Sequence, residues 1–470
     1  MFGQNAQLYS SFIILFLLFI VAPVSTAEED ALEIGSRREL FTDGHLIDKI
    51  DGSVELQVQQ PVPKGVSLVA DKPWEGNTSA YFTVFQDDDK YRMYYRGSHW
   101  LVDEEKAAHR EVTCYAESSD GITWTKPELG LYEFDGSKKN NIVWNGPGTH
   151  CFTPFKDTNP NCNPDARYKA LTADYRDGKR GLLALQSPDG IHWKLIQDEH
   201  VITEGYFDSQ NLAFWDSNRM LYVDYHRTFI NGVRSIMTCT SKDFVNWTKP
   251  VLLEYQEGSP NEHLYTNAVR LYDRAPHIYI GFPTRYLPNE GSRVEPLFMS
   301  SRDSINFHRY SAVPVVPESA PADRKGNRSN YMANGLLDLN VEPKHMSVYA
   351  TEAYYEGPDN RIRRFQYRKD GFVALTADKS GGVVTTRPLK TTGGKLYLNY
   401  QTSEGGSIKV DVLDEDDELL PGMESVLVGD SIDEQLIFGK RRRTGLSAGV
   451  YRLRFSINNA SVYAFRFSDK

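Results

Sequence analysis

Cysteine is scarce in this 470-residue chain. There are four, Cys114, Cys151, Cys162 and Cys239, with no C-x-x-C pair and no Cys/His spacing of a zinc site. A disulfide-built small fold and a zinc module are thereby excluded, and no essential transition metal is expected. Four cysteines allow three pairings, among which sequence does not choose. Cys151 and Cys162 are close enough in sequence to bridge in an oxidising compartment, whereas Cys114 and Cys239 fall in strand-like runs and read as buried thiols. Net positive charge is also lacking. The formal charge is −10, which argues against a general nucleic-acid binder. The apolar run Phe12 to Ala22 is too short for a membrane span.

That run is followed by Pro23, by the small residues Ser25 and Ala27, and by acidic Glu28-Glu29-Asp30. The pattern suits signal-peptidase cleavage after Ala27. Residues 1–27 are expected to be a signal peptide, with the mature chain exported, periplasmic or extracellular, and not stably inserted in a membrane. An uncleaved N-terminal anchor is the alternative. Aromatic residues are plentiful, with 27 Tyr and 23 Phe making up most of a 12% aromatic share. That favours β structure and carbohydrate-type surfaces.

A heptad-length motif organises the chain: Ser118-Ser119-Asp120-Gly121-Ile122-Thr123-Trp124. It returns at Ser187–Trp193, Ser241–Trp247 and Ser301–Phe307 as S-x-D-x-[I/V]-x-[W/F], with a worn copy at Asp370-Gly371-Phe372-Val373. Copies roughly sixty residues apart signal a repeated supersecondary unit. Asp-Gly suits a tight turn whose backbone angles need φ > 0, and the carboxylate can accept local N–H bonds while the later aromatic packs beneath. The turns read as scaffold, with their aspartates on the rim away from substrate. Between them lie four short strands per unit, so five units predict a five-bladed β-propeller over residues 28–380. Val54 to Val69 reads as irregular extended chain, and a strand near Phe41 is expected to close the ring. After Ser380-Gly381-Gly382 the strands alternate with period two, and no helix-length periodic segment appears. Residues 381–470 are expected to form an antiparallel β-sandwich, with Asp414–Glu418 a solvated acidic loop.

In a propeller the first strand of each blade begins, and the second ends, at one face of the channel. Carboxylates precede three first strands: Glu75 in Trp74-Glu75-Gly76-Asn77, Asp208 in Phe207–Asn211, and Glu262 in Glu262–Asn267. Glycosidic hydrolysis needs an acid and a second carboxylate as base or nucleophile. Glu262 is read as the general acid, Asp208 as an orienting or pKa-setting group, and Glu75 as base or nucleophile. After the second strands come Arg96, Arg176, Arg227 and Arg285, residues suited to carboxylate or sulfate. Blade five breaks this pattern with Glu352-Ala353-Tyr354-Tyr355. Trp74, Trp100 and Tyr265 are candidates for stacking on sugars. Asn211, Asn267 and Asn330 are candidates for their hydroxyls, and His226, His150 and His263 for hydroxyls or a metal. Each also has a structural reading, as a loop acid, a paired Arg or a satisfied core histidine.

These features resemble the five-bladed propeller glycoside hydrolases, the group of families 32, 43, 62, 68 and 117, and the turns resemble the Asp boxes of sialidases. A propeller followed by a β-sandwich is similar to the family 32 layout. The match of Glu75, Asp208 and Glu262 to that group's three funnel acids is by blade position; the W-x-N-D-P-N-G, R-D-P and E-C motifs of family 32 are absent. The resemblance implies a secreted glycosidase acting on an oligo- or polysaccharide, here one bearing uronate or sulfate. No cofactor is expected; a structural calcium ion in the channel has no residue pattern behind it. The alternatives are a non-catalytic carbohydrate-binding propeller, whose carboxylates would be scattered or neutralised by Arg, and a protein-binding scaffold with no deep pocket.

Overall fold

The computed structural model describes residues 31–176, 178–315 and 331–468. The expected signal peptide and Asn330 lie outside the described residues. Among these residues there is no α-helix, only strands and three short 3-10 turns, and none is a helix long and apolar enough to cross a membrane. The fold is all-β, a five-bladed propeller joined to a C-terminal antiparallel β-sandwich.

Blade one is Ala80–Asp87, Lys90–Gly97, Val112–Ser118 and Ile142–Trp144, in order from the channel outward. Blade two begins at Thr153–Lys156 and blade three at Leu212–Asp216, each adding three antiparallel strands. Blade four runs from Arg270–Tyr272 to Asn306–Arg309, with Glu254–Tyr255 added in parallel at its edge. Blade five has His345–Glu352 and Arg361–Arg368; its inner strand is reduced to the bridges Met332 to Ala350 and Leu337 to Ser347.

The ring is closed by Val62–Val69, which pairs with Arg361–Arg368. This corrects the expectation of a closing strand near Phe41 and of irregular chain at Val54 to Val69. The prolines that made the segment look irregular are tolerated because it is an outer edge strand, where one flank of N–H groups has no ladder to serve. The Phe41 segment goes elsewhere. Arg38–Leu40 pairs with the strand Gly449–Phe467, and the fully buried Phe41 ring meets Phe455 edge-on at 5.7 Å.

The sandwich is built on Leu396–Leu413 and Gly449–Phe467. Each is one long bent strand, with register shifts such as that between Thr402 and Ser407, rather than two separate strands. Ile47–Val58 pairs with Val373–Thr386, so the first strands of the chain complete the last sheet. A shared core of Leu40, Phe282, Phe298, Phe372 and Ala464 joins the sandwich to blades four and five.

The repeated turns explain the blade contacts. Asp120 Oδ1 accepts the N–H groups of Ile122 and Thr123 at 2.7 and 2.8 Å, and Ser118 Oγ accepts that of Gly121 at 2.8 Å. Gly121 has φ +71°; in the later copies Phe244 and Ser304 hold the same left-handed conformation at 69° and 74°, a cost the local hydrogen bonds offset. The carbonyl at this left-handed position serves the neighbouring blade. Tyr94 donates to Gly190 O at 2.9 Å, Tyr225 to Ser304 O at 2.9 Å, and Tyr349 to Gly121 O. The four cysteines are free thiols, so the Cys151–Cys162 bridge does not form; Cys151 is buried against Phe207 O, while Cys162 faces Lys169.

Candidate functional site

The loops that leave second strands and enter first strands gather at one mouth of the channel. Tyr81 opens it. Its φ is 56°, the left-handed region where a bulky residue is strained, and the blade-one register shifts there, between Ala80 and Thr83. This local bulge lays the Tyr81 ring against Arg96, whose guanidinium carbon is 4.9 Å from the ring centroid. Arg96 is buried and donates to Thr78 O at 2.7 Å and to Tyr354 Oη at 3.0 Å. Tyr354 is flanked by two strained residues, Ala353 and Tyr355, at φ 65° and 62°. Blade five, which breaks the arginine pattern, therefore supplies the tyrosine that receives the blade-one arginine.

Glu111 and His150 complete this side. Glu111 Oε2 lies 2.9 Å from His150 Nδ1, and Arg96 Nη1 is 3.0 and 3.2 Å from the two ring nitrogens. Burial would raise the Glu111 carboxyl, but His150 and Arg96 outweigh it and hold the group below its ordinary value. Burial and Arg96 together lower His150, which favours a neutral ring. With Glu111 ionised, the ring proton belongs on Nδ1, donated to the carboxylate.

Across the mouth, blade three provides Arg227, which is 2% exposed. It pairs with Asp208, whose side chain is 69% exposed, while its Nε and Nη1 are buried without a hydrogen-bond partner among the described residues. Its guanidinium lies 5.3 Å from Phe229 and 5.0 Å from Tyr265. Arg234 covers the same two rings at 5.2 and 4.9 Å and Tyr286 at 4.7 Å. Tyr265 then meets Tyr331 at 5.7 Å, and Tyr331 meets Tyr354 at 5.6 Å. Burial raises the hydroxyl pKa of Tyr81 and Tyr331 well above the ordinary value and that of Tyr354 above it, so all three stay protonated donors at neutral pH. The wall is an alternation of arginine and aromatic rings.

The expected acids do not all reach this mouth. Asp208 does. Glu75 is buried inside blade one, accepting from Tyr95 Oη and Lys126 Nζ at 2.5 Å each and from the Lys72 N–H at 3.1 Å. The turn at Gly76, φ +150°, folds the segment back, and the carbonyl of Trp74 approaches Gly97 so closely that a Cβ there would lie 2.4 Å from it. Glu262 stands between Arg309 at 3.3 Å and Arg285 at 3.5 Å. Arg285 points to that pair and to Glu295, while its neighbour Tyr286 packs against Tyr265; strand alternation sends the two side chains to opposite faces.

Of the other expected contacts, Arg96, Arg227 and Tyr265 line the mouth. Arg176 lies on the rim, bound to Asp174 at 2.5 Å. Trp74 is half-buried and donates to Asn141 at 2.7 Å. Trp100 is half-buried and tied through its backbone to Asn77. Asn211 is buried and donates to the Phe207 and Ser209 carbonyls, shaping the turn that presents Asp208. Asn267 is buried and donates to Tyr225 O at 3.2 Å. His263 packs against Arg234 and Tyr286, with its ring nitrogen 3.2 Å from the Arg234 backbone N–H. His226 is fully buried between Asp224 and the Glu204 carbonyl, at 2.9 Å from the latter. The even-numbered residues of that strand face blade two, so His226 is a packing residue rather than a sugar contact. Asp224, His226 and Cys239 offer an oxygen, a nitrogen and a sulfur within 4.8 Å of one another, the one metal-like donor set among the described residues.

Glu111, Tyr81 and Arg234 were not singled out in the sequence. Glu111 precedes a third strand, outside the positions that strand phase selects, and Arg234 follows a hairpin tip.

No protein-family model matches this chain, and no curated protein matches it. Among solved structures it is similar to a β-1,2-mannobiose phosphorylase from Listeria innocua, at 12% identity over 64% of this chain and 94% of that one, TM-score 0.44. It is also similar to an endo-arabinase from Bacteroides thetaiotaomicron, at 10% identity over 66% and 99%, TM-score 0.41. A family 32 β-fructofuranosidase from Bombyx mori is similar over 87% of this chain and 94% of its own, at 11% identity and TM-score 0.42.

Proposed function

We propose that this protein is an exported glycosidase that holds a uronate- or sulfate-bearing oligo- or polysaccharide in the channel mouth and hydrolyses a glycosidic bond there. The observation that carries the reading is Arg227: a guanidinium nearly excluded from water, with two nitrogens lacking hydrogen-bond partners among the described residues and aromatic rings beside it. A buried unpaired donor is costly, and an anionic sugar substituent supplies the missing acceptors.

Glu111 and Asp208 are the two carboxylates of the reaction. Glu111, held ionised by His150 and Arg96, is the base or nucleophile. Asp208 is paired with Arg227 in the free protein. When an anionic substituent takes Arg227, Asp208 is released from its cation and is free to act as the acid.

The test is product analysis of purified protein on polygalacturonate and chondroitin sulfate, with a neutral glucan as control. Hydrolysis of an acidic glycan, reduced about a hundredfold in Glu111→Gln, supports the reading; cleavage of the neutral glucan alone ends it. A second reading, a glycan-binding propeller without catalysis, is favoured by the cation-paired states of Glu75 and Glu262. It predicts binding of the same glycans with no product.

A further inference from the structure

The aromatic and arginine wall does not stop at the mouth. It continues outward over blades two and three. Tyr206, immediately before the turn that carries Asp208, meets Phe229 at 4.9 Å, and Phe229 is the ring over which Arg227 lies. On its other side Tyr206 faces Arg180, 5.3 Å from guanidinium carbon to ring centroid, and Arg180 faces Tyr175 at 5.9 Å. Exposure rises along this path, from 2% at Arg227 to 43% at Tyr206 and 66% at Tyr175. The path is a ramp from solvent to the buried cation.

Resting on the reading above, we propose that Tyr175, Arg180 and Tyr206 form a distal subsite for a further anionic sugar of the same substrate chain, so that the protein acts on polymers rather than on a terminal monosaccharide. Single exposed tyrosines are ordinary on a protein surface. Here two of them bracket an arginine that has no carboxylate partner among the described residues. The set is held in place: Tyr175 and Arg180 are direct cross-strand partners at the end of the blade-two hairpin, and the Tyr206 N–H donates to Arg227 O at 2.8 Å. The ring faces suit the C–H face of a pyranose, and the guanidinium between them suits a carboxylate or sulfate. Continuity with the mouth identifies the occupant as a neighbouring residue of the chain bound at Arg227, not a separate ligand.

The experiment compares galacturonate and chondroitin sulfate di- and hexasaccharides by calorimetry on the wild-type protein, Tyr175→Ala/Tyr206→Ala, Arg180→Ala and Arg180→Lys. Expected is a loss of roughly tenfold in hexasaccharide affinity in the double variant, partial recovery with lysine, and unchanged disaccharide affinity. Equal losses on both lengths, or no loss on the hexasaccharide, overturn the subsite while leaving the mouth in place. Wild-type protein that binds none of the four saccharides overturns the subsite together with the reading on which it rests.

Discussion

The channel mouth and the propeller–sandwich junction both bury charge, and they treat it differently. At the junction, Asp370 is fully buried and every direction around its carboxylate is filled. Arg38 Nη1 donates at 2.9 Å, Arg274 Nε and Nη2 at 2.8 and 3.1 Å, and Tyr272 Oη at 2.6 Å. At the mouth, Arg227 is as deeply buried, yet two of its nitrogens have no hydrogen-bond partner among the described residues. A buried ion costs free energy unless its shell is closed. Asp370 has its shell closed by the protein itself and is architecture; Arg227 has its shell left open, which the proposed function fills with an anionic group of the substrate. Asp370 is also the worn fifth copy of the turn motif. In the other copies the aspartate holds its own turn; here it has been redirected to bind two domains.

The sharpest way to break this contrast is to remove the closed partner. Asp370→Ala strands Arg38, Arg274 and Tyr272 and is expected to cost about 3–5 kcal/mol, read as a fall in the urea midpoint, with saccharide affinity of the folded fraction unchanged. Burial alone would raise the Asp370 carboxyl, but Arg274 and Arg38 hold it below its ordinary value. Its folded-state pKa is therefore below that of the unfolded chain. The contribution is complete above the unfolded carboxyl value of about 4 and is lost as pH falls below it. The variant should thus show a shallower loss of stability on acidification than wild type. An Asp370→Ala protein as stable as wild type at neutral pH would remove the junction from the comparison.

Arg227→Ala is the converse. It removes an open-shelled cation whose one carboxylate partner among the described residues, Asp208, is mostly in solvent. Stability is expected to change by no more than about 1 kcal/mol, while affinity for a galacturonate oligosaccharide falls by roughly ten- to a hundredfold, the scale of a lost charged hydrogen bond. Unchanged affinity with a large loss of stability would make Arg227 a second Asp370.

Blade count and strand phase were legible because each S-x-D turn uses only local hydrogen bonds, which a heptad of sequence can specify. The arginine pattern after second strands located Arg96 and Arg227 for the same reason: strand phase decides which face a residue takes. It failed at Arg285, where the next residue, Tyr286, faces the mouth instead, and at Glu75, where a glycine turn folds a channel-entry segment into the blade. Partnership is the part that sequence patterns do not carry. Lys126, which neutralises Glu75, lies just after a turn motif, and Glu111 meets His150 only because blades one and two are adjacent. The closing strand was missed because its prolines argue against a central strand but not against an edge.

Glu262 gives the smallest expected effect and the finest discrimination between the two regions. Its carboxylate lies 3.3 Å from Arg309 and 3.5 Å from Arg285 and is 16% exposed. Neither cation depends on it alone, since Arg285 also lies 3.4 Å from Glu295 and Arg309 donates to the Pro260 carbonyl at 2.5 Å. Glu262→Gln keeps the shape and removes one charge from a cluster that retains others, so a stability change within about 1 kcal/mol is expected. On the glycan that wild type cleaves, its turnover should stay near wild type, in contrast to Glu111→Gln. A loss of about a hundredfold or more, the range of a removed general acid, would return Glu262 to the reaction and show that an acid can be drawn from a cation-paired cluster as readily as from the open mouth.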